Sequence, residues 1–176
     1  PLALAEQRAD VGGHEAGEPD GQAKHIFDIN VQGVLNTIDP VQKAMTARKR
    51  GQIALMASLA GFSGWPGSPA YSASKGAVRM YGEALRGTLT PHGIRVNVIC
   101  PGFIRTPMTD VNGYKMPFLM DVEKAADIII KGLENNKARI AFPLPTYIFA
   151  GLIGMLPISW ALKILTRTPE KPAGPF

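Results

Sequence analysis

The chain has 176 residues, enough for one domain with a real core and too few for two independent ones. Hydrophobic residues make up 45% and charged residues 19%, which excludes an intrinsically disordered chain. The 19 glycines and 15 prolines follow no fixed period, which excludes collagen and solenoids and points to many turns.

The net charge of +5 is unevenly spread: residues 1–24 carry five acids against Arg8 and Lys24, net −3, leaving +8 on the rest. The basic residues are scattered. The longest run, Arg48-Lys49-Arg50, is short and has no interleaved aromatics, so nucleic acid is not an expected partner. The one cysteine, Cys100, forms no intrachain disulfide and rules out a multi-cysteine metal site. That fits a reducing, cytoplasmic setting. His14, His25 and His92 are isolated, so no metal is expected. Residue 1 is Pro, and no charged segment followed by an apolar one marks a secretory signal.

In chain order, residues 1–6 read as a short apolar strand and residues 7–24, polar and glycine-rich, as loop. Phe27, Val31, Val34, Ile38, Val41 and Met45 then form a helical stripe, which Pro40 is expected to kink or split. Residues 52–57 read as a buried strand and 58–69 as loop. Residues 71–89 read as a helix with Val78, Tyr81, Leu85 and Leu89 on one stripe, ended by Pro91-His92-Gly93. The β-branched run 94–100 is a strand stopped by Pro101-Gly102.

The stretch 103–120 is irregular, with a turn at Asn112-Gly113. Met116 and Met120 near Phe118 read equally as a flexible lid or as core contacts. Asp121 is the expected N-cap of a helix through 134, and 139–142 is a last strand. Alternating strands and helices imply a parallel α/β sheet, with ligands at the carboxyl ends of the strands. The loops starting at Ala57, Cys100 and Phe142 should therefore form the functional edge.

Residues 140–162 contain no charged side chain, and Lys163, Arg167 and Lys171 follow. The stretch reads as two apolar helices, 148–156 and 158–165, joined at Pro157. Three readings stay open: a cover for a substrate pocket or subunit contact, contact with a membrane surface through 145–176, or a true span. The domain division is a catalytic domain over 1–143 and a basic, apolar extension over 144–176.

Tyr71 and Lys75 lie one helical turn apart on a shared face. A free phenol is a poor acid or base at neutral pH. An ammonium at roughly 5 Å, in an effective dielectric of about 20, favours the phenolate by about 3 kcal/mol, or some two pKa units. Ser58 stands thirteen residues before Tyr71 at the carboxyl end of a strand, where a hydroxyl can bind a substrate oxygen on which charge develops. Alone, the Tyr–Lys spacing is more often that of a core tyrosine beside a solvated lysine. Cys100, in an apolar strand, reads as packing.

Five linked stretches change the weight of that pair. They are Phe27-Asp28-Ile29-Asn30-Val31, Ala57-Ser58-Leu59-Ala60-Gly61, Pro69-Ala70-Tyr71-Ser72-Ala73-Ser74-Lys75, Gly93-Ile94-Arg95-Val96-Asn97-Val98 and Cys100-Pro101-Gly102-Phe103-Ile104-Arg105-Thr106. In this order and spacing, over about residues 26–143, the chain resembles the short-chain dehydrogenase/reductase family.

The resemblance implies a partial Rossmann-type, doubly wound parallel sheet in three layers, truncated on its amino-terminal side. It implies hydride transfer between NAD or NADP and a carbonyl or alcohol, and the apolar character of loops 62–69 and 107–120 points to a small hydrophobic one. Tyr71 would be the general acid in reduction and the base in oxidation. Lys75 would lower its pKa and hold the nicotinamide ribose, Ser58 would bind the substrate oxygen, and Asn30 would support Lys75 through a water relay. Pro101, Gly102, Ile104 and Thr106, with Tyr71 and Lys75, would hold the cofactor, Thr106 and the backbone after Pro101 its carboxamide end. It also implies a homo-oligomer formed through the two long helices.

Two departures accompany the resemblance. The sequence has no Gly-x-x-x-Gly-x-Gly to cradle a pyrophosphate. Arg8 and Asp10 stand where the family has an Asn-Ala-Gly turn. The alternative they raise is a non-catalytic chain that acts as an association or interaction module. The chain alone is expected to bind NAD(P)H poorly. The loops 62–69 and 107–120 would line a substrate pocket.

Overall fold

The computed structural model describes residues 2–5 (backbone only), 22–106, 109 and 116–167. Four strands form one parallel sheet in the order β1 (Leu2–Ala5), β2 (Gly51–Met56), β3 (Ile94–Pro101), β4 (Arg139–Phe142). Ile53 pairs with Val96 and Met56 with Ile99, and Val98 pairs with Arg139, so the carboxyl ends of β2, β3 and β4 align. Backbone bonds continue past them: Ala57 N donates to Ile99 O at 2.8 Å and Gly102 N to Phe142 O at 2.8 Å. The expected functional edge is thus one continuous rim.

Side chains alternate across a sheet, and the two faces meet different helices. Ile53, Leu55, Val96, Val98 and Cys100 point to one face. They pack there with Val34, Ile38 and Met45 of α2 (Gly33–Arg48) and Val78, Leu85 and Leu89 of α3 (Pro69–Leu89). Ala54, Ile99, Ile140 and Phe142 point to the other face, against Ala125 and Ile128 of α4 (Val122–Glu134). The result is the expected three-layer α/β arrangement. Two further helices, α5 (Leu144–Met155) and α6 (Ile158–Leu165), follow β4.

The first helical stretch differs from the periodicity reading. It begins at Gln22, inside the expected loop, as α1 (Gln22–Phe27), and passes through a π turn, Asp28–Gln32, into α2. Ile26 is fully buried whereas Phe27 is 39% exposed. The physical reason is the π turn. Ile26, Asn30, Val34 and Ile38 are spaced by four, and each such step overshoots an α-helical turn by about 40°. A wider turn absorbs that drift and puts Asn30 on the buried stripe.

Pro40 does not split the helix; α2 runs through it. Pro40 and Asn36 are both exposed, so the carbonyl deprived of its donor faces water. Gly93 joins α3 to β3 at φ 73°, and a Cβ there would lie 2.6 Å from Lys49 O, so both conformation and space call for glycine.

Three smaller expectations shift. Asp121 sits at the N-cap of α4 but makes no capping bond; its Oδ1 accepts from Arg105 Nε at 3.1 Å instead. α5 starts at Leu144, four residues earlier than expected, because Pro145 in the first turn suits a helix start. Met120 packs on the Ile99–Ile140 cluster as a core contact, while Phe118 is 60% exposed. The Asn112-Gly113 turn, the 7–21 loop, His14, Arg8, Asp10 and Lys171 lie outside the described residues.

Candidate active site

Ser58 leaves β2 in extended conformation and caps a short 3-10 turn (Leu59–Phe62), its Oγ accepting from Ala60 N at 3.1 Å. This holds the hydroxyl at the rim. Its Oγ also lies 3.5 Å from Pro101 O, at the end of β3. Pro69 opens α3 in its first turn, where a missing N–H costs nothing, and Tyr71 and Lys75 project from the first turns of that helix. The side chains of Tyr71 and Ser58 are hydrogen-bonded to each other. Lys75 is buried, donates from Nζ to Met56 O at 3.2 Å, and has its Nζ 5.8 Å from the centre of the Tyr71 ring.

Asn30, the fourth residue brought in, is buried on the π turn. Its Nδ2 donates to Ser74 Oγ at 3.0 Å, and Ser74 Oγ donates to Tyr71 O at 2.8 Å. Ile26 and Ile29 pack against Ala70 beside this chain. The π turn and the end of β2, distant in sequence, therefore converge on the start of α3.

The electrostatics correct the sequence reading. The Tyr71 phenol is held above its ordinary 10.0, with burial as the larger cause and the Ser58 hydrogen bond pulling it back down. The expected lowering by Lys75 is absent from these causes. The ammonium donates to Met56 O and lies 5.8 Å from the centre of the Tyr71 ring. Cys100 is fully buried and its thiol is pushed up to about 12, chiefly by burial, consistent with a packing role.

Ser74 escaped the sequence reading, although its i, i+3 position relative to Tyr71 was available. So did Gly61 and Arg79. A Cβ on Gly61 would lie 2.6 Å from the Lys75 carbonyl carbon, so the Ser58 turn rests directly on α3. Arg79 Nε donates to Gly61 O at 3.2 Å, and its guanidinium stacks 4.6 Å from the Phe62 ring. Glu83 pairs with Arg79 at 3.3 Å and with Arg139, whose Nη1 donates to Tyr147 OH at 3.0 Å. This network fixes the turn after Ser58 against α3, β4 and α5.

The remaining predicted residues lie along the loop that leaves β3. Ile104 bridges to Met120. Ile104 O accepts from Thr109 Oγ1 at 2.7 Å, and Thr106 N donates to Thr109 Oγ1 at 2.8 Å. No described contact joins Ile104 or Thr106 to Tyr71. A cavity of about 700 Å³ lined by Phe62, Trp65, Ser72, Arg79, Met80 and Ile158 lies to one side of this site; Ser58, Tyr71 and Lys75 do not line it.

Whether these residues suit a nicotinamide cofactor can be judged from two features. Asn30 Oδ1 is buried without a partner among the described residues, an acceptor open to a further donor at the site. At Gly102 a Cβ would lie 3.1 Å from Pro143 Cδ and 3.4 Å from Leu59 Cδ1, so the backbone beside Pro101 is bare and closely seated. A buried amine, a phenol, an open amide oxygen and bare backbone fit the nicotinamide–ribose end of such a group.

Comparison with known proteins agrees with this geometry. The sequence profile described as short chain dehydrogenase matches residues 12–116. An uncharacterized oxidoreductase of Myxococcus xanthus is 39% identical over 144 residues, 81% of this chain and 57% of that protein. Cyclopentanol dehydrogenase of a Comamonas species is 45% identical over 84 residues, 48% of this chain and 34% of the enzyme. The chain thus spans between about a third and somewhat over half of these relatives. Among solved structures, a short-chain dehydrogenase from Sphingobium yanoikuyae in complex with NADPH superposes with a TM-score of 0.75 at 18% identity, over 96% of this chain and 65% of that one. A 3-oxoacyl-[acyl-carrier protein] reductase with bound NAD from Brucella melitensis gives 0.64 at 25% identity, over 80% and 58%.

Proposed function

The chain belongs to the short-chain dehydrogenase family, and we propose that it carries the proton-transfer side of an oxidoreductase site acting on a small hydrophobic carbonyl or its alcohol. The observation that carries this reading is the hydrogen bond between Tyr71 and Ser58, with Lys75 one turn further along the same helix. NAD or NADP, when bound, supplies or accepts the hydride.

The chain's own residues supply the rest. Ser58 donates to the substrate oxygen and holds it against the phenol. Tyr71 gives that oxygen a proton in reduction and takes one in oxidation. A phenol held in its protonated form by burial is the form that gives the proton in reduction. Lys75 places a positive charge under the phenol ring, and Asn30 through Ser74 holds the turn that presents both. Pro101, Gly102, Ile104 and Thr106 are proposed to border the carboxamide end of the cofactor.

Association of two or more copies through α2 and α3 is part of this reading, as is contact of residues 145–176 with a membrane surface. The extension 144–176 is, in this reading, a unit distinct in role from 1–143.

The test is turnover of a panel of apolar ketones and alcohols with both nicotinamides, in the chain extended at its amino terminus by a glycine-rich strand–turn–helix of the family. Tyr71→Phe is expected to lower kcat by about 10²–10⁴-fold. Retained turnover in that variant overturns the assignment.

A further inference from the structure

We propose that α5 and α6 lie in the plane of an anionic lipid bilayer and anchor the protein to its surface. The inference rests on the membrane-contact part of the reading above and not on hydride transfer, so flotation and turnover fail separately.

The inward faces of both helices are already occupied. Ala150 joins the main core, and Ile153, Ala161 and Leu165 pack with Trp65 and Leu156. The outward faces are nevertheless apolar. Leu144, Ile148, Leu152 and Met155, at steps of four, four and three, form one stripe of α5 and are 64%, 52%, 59% and 83% exposed. On α6, Trp160 is 63% exposed and Ile164, one turn on, 40%. A helix facing water carries charge on that side, and from 140 to 162 there is none.

The charges that follow choose the occupant. Lys163 and Arg167 are exposed at the end of α6, and no acidic residue lies between Glu134 and Arg167. A second copy across a two-fold axis would bring these cations toward their own equivalents, with no acid on these helices to meet them. Lipid phosphates meet them directly, with Trp160 at the headgroup level. Among the described residues no helix is long and apolar enough to cross a membrane. The 12 residues of α5 and 8 of α6 reach about 18 Å and 12 Å against a hydrocarbon core of about 30 Å, which leaves the in-plane arrangement. The face also sits beside the site: a Cβ on Gly154 would lie 2.5 Å from Phe62 O, so α5 seats against the turn that follows Ser58.

The experiment is flotation of the 176-residue chain with phosphatidylglycerol-containing vesicles and with pure phosphatidylcholine vesicles. The chain is expected to float with the former and to be released by salt. The double variant Lys163→Glu, Arg167→Glu is expected to bind about thirtyfold more weakly and to lose the preference for anionic lipid. Leu152→Glu with Met155→Glu is expected to stay in the soluble fraction with an unchanged circular dichroism spectrum. Should that pair fail to fold, the charge-reversal pair and a lipid-induced blue shift of tryptophan emission lost in Trp160→Ala carry the test. No flotation by the folded chain, equal flotation of the charge-reversal variant, or a solution dimer that Leu152→Glu converts to a lipid-indifferent monomer would each overturn the proposal.

Discussion

Asn30 Nδ2 donates to Ser74 Oγ at 3.0 Å across 44 residues of sequence, and Ser74 hands its own proton to the carbonyl of Tyr71 at 2.8 Å. Both side chains are buried, so removal of the serine hydroxyl leaves the Asn30 amide without its acceptor. Ser74→Ala is expected to lower stability by about 1–3 kcal/mol in urea titration. Because the lost bond ties down the turn that presents Tyr71, kcat in the extended chain should fall while KM changes little. A variant as stable and as active as the parent would show that the relay positions nothing.

The same relay shows where the sequence was legible. The order of strands and helices and the rim of Ala57, Cys100 and Phe142 follow from apolar runs and turn residues that act locally. The burial of Asn30 does not, because a stripe counted at 3.6 residues per turn selects Phe27 and Val31; the π turn that instead selects Ile26 and Asn30 depends on packing against Ala70 of a distant helix. The early start of α5 was visible in Pro145 but masked by the strand-like run before it. The Tyr71 phenol went the other way from expectation, since the spacing to Lys75 carries the ammonium's position and not the burial that opposes it.

That balance at Tyr71 has a measurable sign. Burial disfavours the phenolate, so the folded-state pKa lies above 10.0, and the Ser58 bond partly offsets this. Phenolate absorbance assigned to Tyr71, from the difference between the parent and Tyr71→Phe, should develop above the ordinary tyrosine range. Ser58→Ala removes the offset and should move it higher still. A titration at or below pH 10, or a serine variant that shifts it downward, contradicts the arrangement.

Gly61 sets the distance between the Ser58 turn and α3. An added Cβ would meet the Lys75 carbonyl carbon at 2.6 Å, Gly76 N at 2.7 Å and Lys75 O at 2.8 Å, all backbone atoms that have little room to yield. Gly61→Ala is expected to cost about 1–3 kcal/mol and to reduce turnover more than Gly64→Ala does. Gly64 is the control, since a Cβ there meets nothing within 4 Å. Equal effects of the two substitutions would remove Gly61 from the positioning of Ser58.

Cys100 gives an alkaline signature separate from the site. Burial pushes its thiol from 9.0 to about 12, while Arg139 and Arg79 pull it down and Glu83 pushes it up. In the unfolded chain the thiol ionises near its ordinary value, but in the fold it stays protonated. Its contribution is therefore fully present below about pH 9 and is lost as pH rises from 9 toward 12. Tyr71 and Tyr81, also raised by burial, add losses only from about pH 10 upward. Between pH 9 and 10 the parent should lose about 1 kcal/mol that Cys100→Ala does not. Denaturant titrations at the two pH values measure this directly. The alanine variant starts lower, from the small cavity it leaves, and its shallower slope is the quantity that identifies the thiol.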